Sequence, residues 1–300
     1  MLALLLGAGP LWAHEGRALA PHDFWGAWSF EPAVVLGLLV SGGLYARGMR
    51  ELRRVARRRL LRREGRCFWS GWLLLALALV SPLHALGEAL FAAHMAQHEL
   101  IMAVAAPLLV LGRPLVVMLW AFPLASRRAI GALGRARALR GPWHLMSAAP
   151  VAFALHAAAI LVWHLPRLYQ WAVASETVHA LQHTAFLVTA LLFWWALLEG
   201  PRARLRYGAA VLYLFGTAVY TGGLGALLTV SRALWYPLYA SRTGPWGFSP
   251  LEDQQLAGLI MWVPAGLAYL GAALALTAAW LREAEWRVAR REAAPLLRGR

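Results

Sequence analysis

The chain is 300 residues long, 60% hydrophobic and 14% charged, with a mean hydropathy of +0.55; this places it among integral membrane proteins and excludes a soluble globular domain. Its formal charge of +15 comes from 29 basic residues, all arginine and set in blocks between apolar runs, a pattern of membrane topology that excludes the basic groove of a nucleic-acid binder. Cys67 is the single cysteine, which excludes an internal disulfide and a thiolate metal cluster, so any metal site must use histidine, methionine or oxygen ligands.

Residues 1–27 are expected to form an outer N-terminal segment. It opens on MLALLLGAGPLWA, a short apolar core ending at Ala13. Cleavage there would expose His14 as a terminal amine beside an imidazole, a capable copper chelator, although no basic residue precedes the core and Leu11 stands where a small residue is usual.

Seven stretches then come close to the roughly 20 apolar residues that cross about 30 Å of hydrocarbon. They are 28–46, 67–86, 92–111, 145–164, 177–198, 208–230 and 255–281, followed by a basic tail over 282–300. The connection after the first, ARGMRELRRVARRRLLRREGR, holds ten arginines from Arg47 to Arg66. The third contains Pro107 and runs into GRPLVVMLWAFP, which is apolar but too short to span, so this helix is expected to continue, kink or lie along the interface. Hydrocarbon offers no water to unpaired backbone groups, and the alternating ten-residue segments of a barrel are absent. The expected fold class is therefore an all-α integral membrane protein, a bundle of about seven transmembrane helices over 28–281. Of the arginines, 25 fall on one side and only Arg17, Arg167, Arg232 and Arg242 on the other. This asymmetry puts the N-terminus outside and the C-terminus inside, with the arginines serving as orientation signals and lipid-headgroup contacts.

In that topology the histidines gather at one depth. His84 closes the second span, His94 and His98 open the third, His164 closes the fourth, and His179 and His183 open the fifth, all toward the outer face. Asp253, Gln254 and Gln255 open the seventh from the same side. His156 lies about 12 Å deeper than His164 at 1.5 Å per residue, and it reads, like His22 and His144, as an interfacial or hydrogen-bonding group.

The segments HMAQHEL (94–100) and HALQHTA (179–185) repeat one device, His-x-x-Gln-His. Residues four apart lie one turn apart on one helix face, so each pair of imidazoles can grip one ion. Ionisable groups at span depth are costly and mark sites. Imidazole suits copper and zinc, and Gln97, Gln182, Glu99 or Asp253 can serve as acceptor for the ring nitrogen left free. Met95, Met102 and Met261 tilt the choice toward copper, with zinc as the alternative. No zincin motif, phosphate loop, nucleophile elbow or haem-attachment motif is present. A single site requires the third and fifth spans to pack at their outer ends, with imidazoles of the two pairs within about 8 Å and His164 or Asp253 lining the same pocket.

The blocks HMAQH (94–98), GRP (112–114), WHLPRLY (163–169), HALQHTAF (179–186) with FWW (193–195), and DQQLAGLIMWVP (253–264) follow one another over roughly residues 30–280. In order and spacing they resemble the multi-span CtaG-type cytochrome c oxidase assembly proteins of bacteria. The resemblance implies a role in maturing haem-copper oxidase at the stage of copper supply. Carried over by position, it implies a metal site of His94, His98, His164, His179, His183 and Asp253; His84 departs from the family pattern, where an acidic residue is usual, and is left out. The expected protein is a multi-pass copper-binding chaperone of the bacterial inner or plasma membrane, without turnover. Its expected partners are cytochrome c oxidase subunits, other copper chaperones and membrane lipid, with no nucleic acid. The alternatives are an intramembrane zinc-dependent hydrolase and a haem-binding membrane electron carrier.

Overall fold

Long apolar segments can satisfy their own backbone groups only as helices, and helix is the regular structure throughout the described residues, with no strand among them. The computed structural model describes residues 19–55, 58–199 and 207–298. The stretch 1–13, His14, Arg17, Arg57, the arginines at 202, 204 and 206, and Arg300 lie outside the described residues. The helices are α1 (Pro32–Val55), α2 (Arg58–Val80), α3 (Pro82–Ala89), α4 (Phe91–Leu111), α5 (Pro114–Leu119), α6 (Leu124–Arg135), α7 (Arg137–Met146), α8 (Ala149–Trp163), α9 (Pro166–Ala174), α10 (Glu176–Leu198), α11 (Tyr207–Val230) and α12 (Pro250–Arg298).

Among the described residues five helices are long and apolar enough to cross a membrane, α1, α4, α10, α11 and α12, and seven crossings result if each of two bent pairs counts as one span. The pairs are α2 with α3, bent by 48°, and α7 with α8, bent by 69°. The expected span 145–164 is the second pair: α8 supplies only 15 residues, about 22 Å of helix. The arginine-rich connection after the first span differs from a loop, because Arg47–Val55 extends α1 and Arg58–Arg66 opens α2. Arginine, leucine and glutamate are good helix formers, which favours helix in both described parts of that stretch. α12 likewise runs on through the basic tail for 49 residues in all, or about 74 Å.

The breaks have local causes. A proline disfavours helical geometry in the residue before it, and at Ser81-Pro82 α2 ends while Ser81 Oγ accepts from Leu83 N at 3.3 Å to start α3. In α4 the helix widens to a π pattern over Leu100–Ala105, with Ala106 N donating to Ile101 O. The next donor in that series would be residue 107, a proline, which has no N–H. Met102 O, left without that partner, accepts from Trp194 Nε1 of α10 at 2.9 Å. α4 therefore continues past Pro107 rather than breaking, and it stops at Gly112 and Arg113, whose φ of 52° is left-handed. The chain then turns back as α5 to pack on α1. A Cβ on Gly48 of α1 would meet the Val117 carbonyl carbon at 2.8 Å, so only glycine permits this approach.

The main apolar core joins α1, α2, α4, α10, α11 and α12 around Tyr45, Phe68, Ile101, Phe186, Phe193 and Tyr269. A second cluster, Phe91, Met95, Tyr169, Tyr236, Tyr239 and Met261, closes the end of the bundle that carries the histidines.

Candidate metal centre

The bend at Ser81 tilts α3 so that His84 points at the start of α10, while the first turns of α4 and α10 present His94, His98, His179 and His183 to the same space. Asp253, at the head of α12, fixes where α4 begins: its carboxylate accepts from Phe91 N at 2.7 Å and Ala92 N at 3.0 Å. A negative charge on a helix N-terminus holds otherwise unpaired N–H groups. α4 and α10 pack together, and the ring centroids of His94 and His179 are 5.0 Å apart, those of His98 and His183 5.1 Å. Both separations are well inside the 8 Å expected of a shared pocket.

The imidazoles form two groups of three joined at His183. In His94, His98 and His183, and again in His84, His179 and His183, one nitrogen from each ring lies within 4.8 Å of the others. Ligand nitrogens around an ion bound at about 2.0–2.1 Å stand about 3–4 Å apart, so a small rotation of the rings suffices. His94 and His98 are 0% and 1% exposed, which leaves no room for water to satisfy them. Their Nε2 atoms are 2.9 Å apart, so one donates to the other. An ion between them needs that proton on a δ nitrogen, and His94 Nδ1 faces the Tyr239 hydroxyl at 3.5 Å, a ready acceptor. His179 Nε2 and His183 Nε2 are buried without a hydrogen-bond partner. Unpaired buried nitrogens of this kind are costly in a packed bundle and fit a ligand that supplies the missing contact.

His164 stands apart from both groups, across Met95. Its Nδ1 donates to Ile160 O at 2.7 Å, which leaves the lone pair of the neutral ring on Nε2; that atom faces Met95 Sδ at 3.4 Å. A thioether has no proton to give. Two lone pairs therefore face one another, an arrangement that a soft cation would stabilise.

Asp253 is not turned to the imidazoles, since both its oxygens are engaged by the α4 backbone. Gln97, expected as an acceptor for a ligating ring, acts as a donor: its Nε2 reaches Ala78 O at 2.7 Å and His84 Nδ1 at 3.1 Å. Gln182 is buried with neither amide atom paired. Met102 contributes its carbonyl to Trp194 and lies in the main core, away from Met95 and Met261. His156 bonds Thr189 deeper in the bundle at 3.1 Å, and His144 accepts from Arg140 at 3.1 Å on the surface. His84, set aside on the sequence, is a full member of one imidazole group. The signal for it was the SPLH segment, in which the proline bend redirects the residue two positions on.

A family model described as cytochrome c oxidase caa3 assembly factor matches residues 43–283, which include every residue of this centre. The chain belongs to the Caa3_CtaG family. Uncharacterized proteins of Mycobacterium bovis and Mycobacterium tuberculosis are each 32% identical over 253 residues, covering 77% of this chain and 37% of their own length. One of Mycobacterium leprae is 30% identical over 291 residues, or 90% of this chain and 41% of its own. The chain thus spans well under half the length of these relatives. No solved structure matches it. For a Caa3_CtaG chain, the match covers α4 and α10 with both His-x-x-Gln-His segments, and the head of α12 with Asp253.

Proposed function

We propose that this Caa3_CtaG protein binds copper in its reduced, monovalent form through histidines at the outer face of a bacterial plasma or inner membrane and aids its delivery to cytochrome c oxidase. The observation that carries the metal's identity is His164 Nε2 facing Met95 Sδ at 3.4 Å beside the five-imidazole cluster. A neutral nitrogen with a thioether is a soft donor set, which favours the monovalent copper ion over zinc. His94, His98 and His183 hold one ion and His84, His179 and His183 a second, His183 serving either; His164 and Met95 offer further ligands beside the cluster. Transfer between these positions exchanges one neutral ligand for another, so it needs no net proton or electron, and the protein performs no turnover. Asp253 sets the geometry without ligating. The partner would be an oxidase subunit approaching within the bilayer, with another copper chaperone supplying the ion.

The two groups of three imidazoles also match a zinc centre with an open fourth position, the arrangement a zinc hydrolase would use. Metal analysis of detergent-purified protein separates the two readings. After incubation with reduced copper the wild type is expected to retain the ion, with no stoichiometric zinc and no Soret band. His183→Ala, which removes the ligand both groups share, is expected to lose more copper than His164→Ala. Stoichiometric zinc that copper does not displace would overturn the copper reading.

A further inference from the structure

Three carboxylates surround the outward side of the imidazole cluster. Glu31, just ahead of α1, places Oε1 3.8 Å from His84 Nε2. Glu88 ends α3, and Glu176 opens α10 three residues before His179; both are exposed. They share one electrostatic region, with Glu88 in the field of Glu31, Glu176 and His84, and Glu31 in that of Glu176. Arg242 is the opposing charge, its guanidinium donating to the Glu88 carbonyl at 2.8 Å.

Acidic side chains alone do not make a site, but here Glu31 lines a cavity that the imidazoles also face, and Glu88 and Glu176 lie in the field of His84 beside it. A cavity of about 510 Å³ between α1, α2 and α10 is faced by Glu31, His84, His179 and His183. His179 is 6% exposed, and its Nε2 has no hydrogen-bond partner. The carboxylates are the most exposed of these groups; His84, His179 and His183 keep a little exposure, and His94 and His98 are fully buried. His84 Nδ1 is held by Gln97 and its Nε2 faces Glu31, so this ring must release one contact to take an ion. Such a ligand suits a transient first position better than a resting one.

We propose that Glu31, Glu88 and Glu176 form a cation-capture vestibule that draws a monovalent metal ion to His84 and passes it on to His179 and His183. The inference rests on the copper reading above and adds the route of loading. Clefts lined by one sign of charge, with low-dielectric walls, concentrate counter-ions and raise association rates by about 10- to 1,000-fold, an effect that salt suppresses. The vestibule therefore governs how fast the site fills, and the imidazoles govern how much it holds.

The test uses the full chain in zwitterionic nanodiscs, with reduced copper as the probe and tryptophan fluorescence followed by stopped flow. The triple variant Glu31→Gln, Glu88→Gln, Glu176→Gln is expected to reach the wild-type copper content while loading about tenfold more slowly at low ionic strength, the gap closing near 1 M salt. The corresponding triple aspartate variant keeps the charge and is expected to keep the rate. Copper supplied as an anionic sulfonated-phenanthroline complex reverses the sign, since the wild type then repels its donor and the triple glutamine variant loads faster. Equal loading by wild type and the glutamine variant at low salt would overturn the vestibule and leave the copper reading standing. A wild type that takes up no copper would remove both.

Discussion

Asp253 reaches 162 positions back along the chain to hold the first two backbone N–H groups of α4. That contact sets the depth of the first turn of α4, and with it the positions of His94 and His98 three and seven residues after Phe91. The sequence shows an acid at the head of the last span, but a carboxylate there reads equally as ligand or as cap until the partner helix is known. The two roles separate on substitution. Asp253→Asn keeps an acceptor and loses the charge, so it is expected to cost about 1–2 kcal/mol of stability and to lower Tm while most of the copper is retained. A variant of wild-type Tm that loses its copper would make Asp253 a ligand. The histidine pairs were legible for the opposite reason: a four-residue spacing is a local property, fixed by the helix itself. His84 was legible in depth but not in membership, because its place in the cluster depends on the bend at Ser81 and on how α3 meets α10.

At the scale of elements, the junction of α4 and α10 joins three features that share one cause. Pro107 lacks an N–H, the π stretch Leu100–Ala105 lies directly upstream, and Trp194 donates to the Met102 carbonyl that Pro107 cannot reach. A buried unpaired carbonyl costs about 1–3 kcal/mol, so Trp194 compensates for the proline and pins α10 to α4 one turn below the histidines. Trp194→Phe is expected to destabilise the wild type by about 1–2 kcal/mol. In a Pro107→Ala background the restored N–H can serve Met102, and the same substitution should cost measurably less. Thermal unfolding of the four proteins in one detergent gives the coupling, and purely additive effects would show that the two residues are independent. The five long spans and their order were readable from hydropathy because apolar length is summed over 20 residues. The bends of α2 to α3 and α7 to α8 were not, since a bent pair and a straight span have the same composition, and only the prolines near the breaks hinted at them.

The whole molecule is polarised along its long axis. The imidazoles and the acidic vestibule crowd one end. The arginine-rich extensions of α1 and α2, the exposed helices α6 and α7 and the arginines of α12 belong to the other, where Arg113 ties α2 to α10 through Glu64 at 3.6 Å and Glu199 at 3.2 Å. The arginine end must therefore face the cytoplasm if the 25-to-4 count governs insertion. The orientation decides the side on which the proposed copper site loads: with this one the vestibule faces outside, and with the reverse one it would sample the cytoplasm. A reporter fused after Arg300 is expected to read as cytoplasmic, and a tag between 240 and 250, in the segment that brings Arg242 to Glu88, as external. Moving the asymmetry tests the cause as well as the outcome. Replacing the ten arginines of 47–66 with glutamine should leave most molecules in the original orientation with a minor inverted population, because the remaining inner arginines, 15 of the 25, still outnumber the four opposite them. External labelling of the C-terminal fusion in the unaltered protein would place the imidazole cluster on the cytoplasmic side and invert the direction of metal transfer.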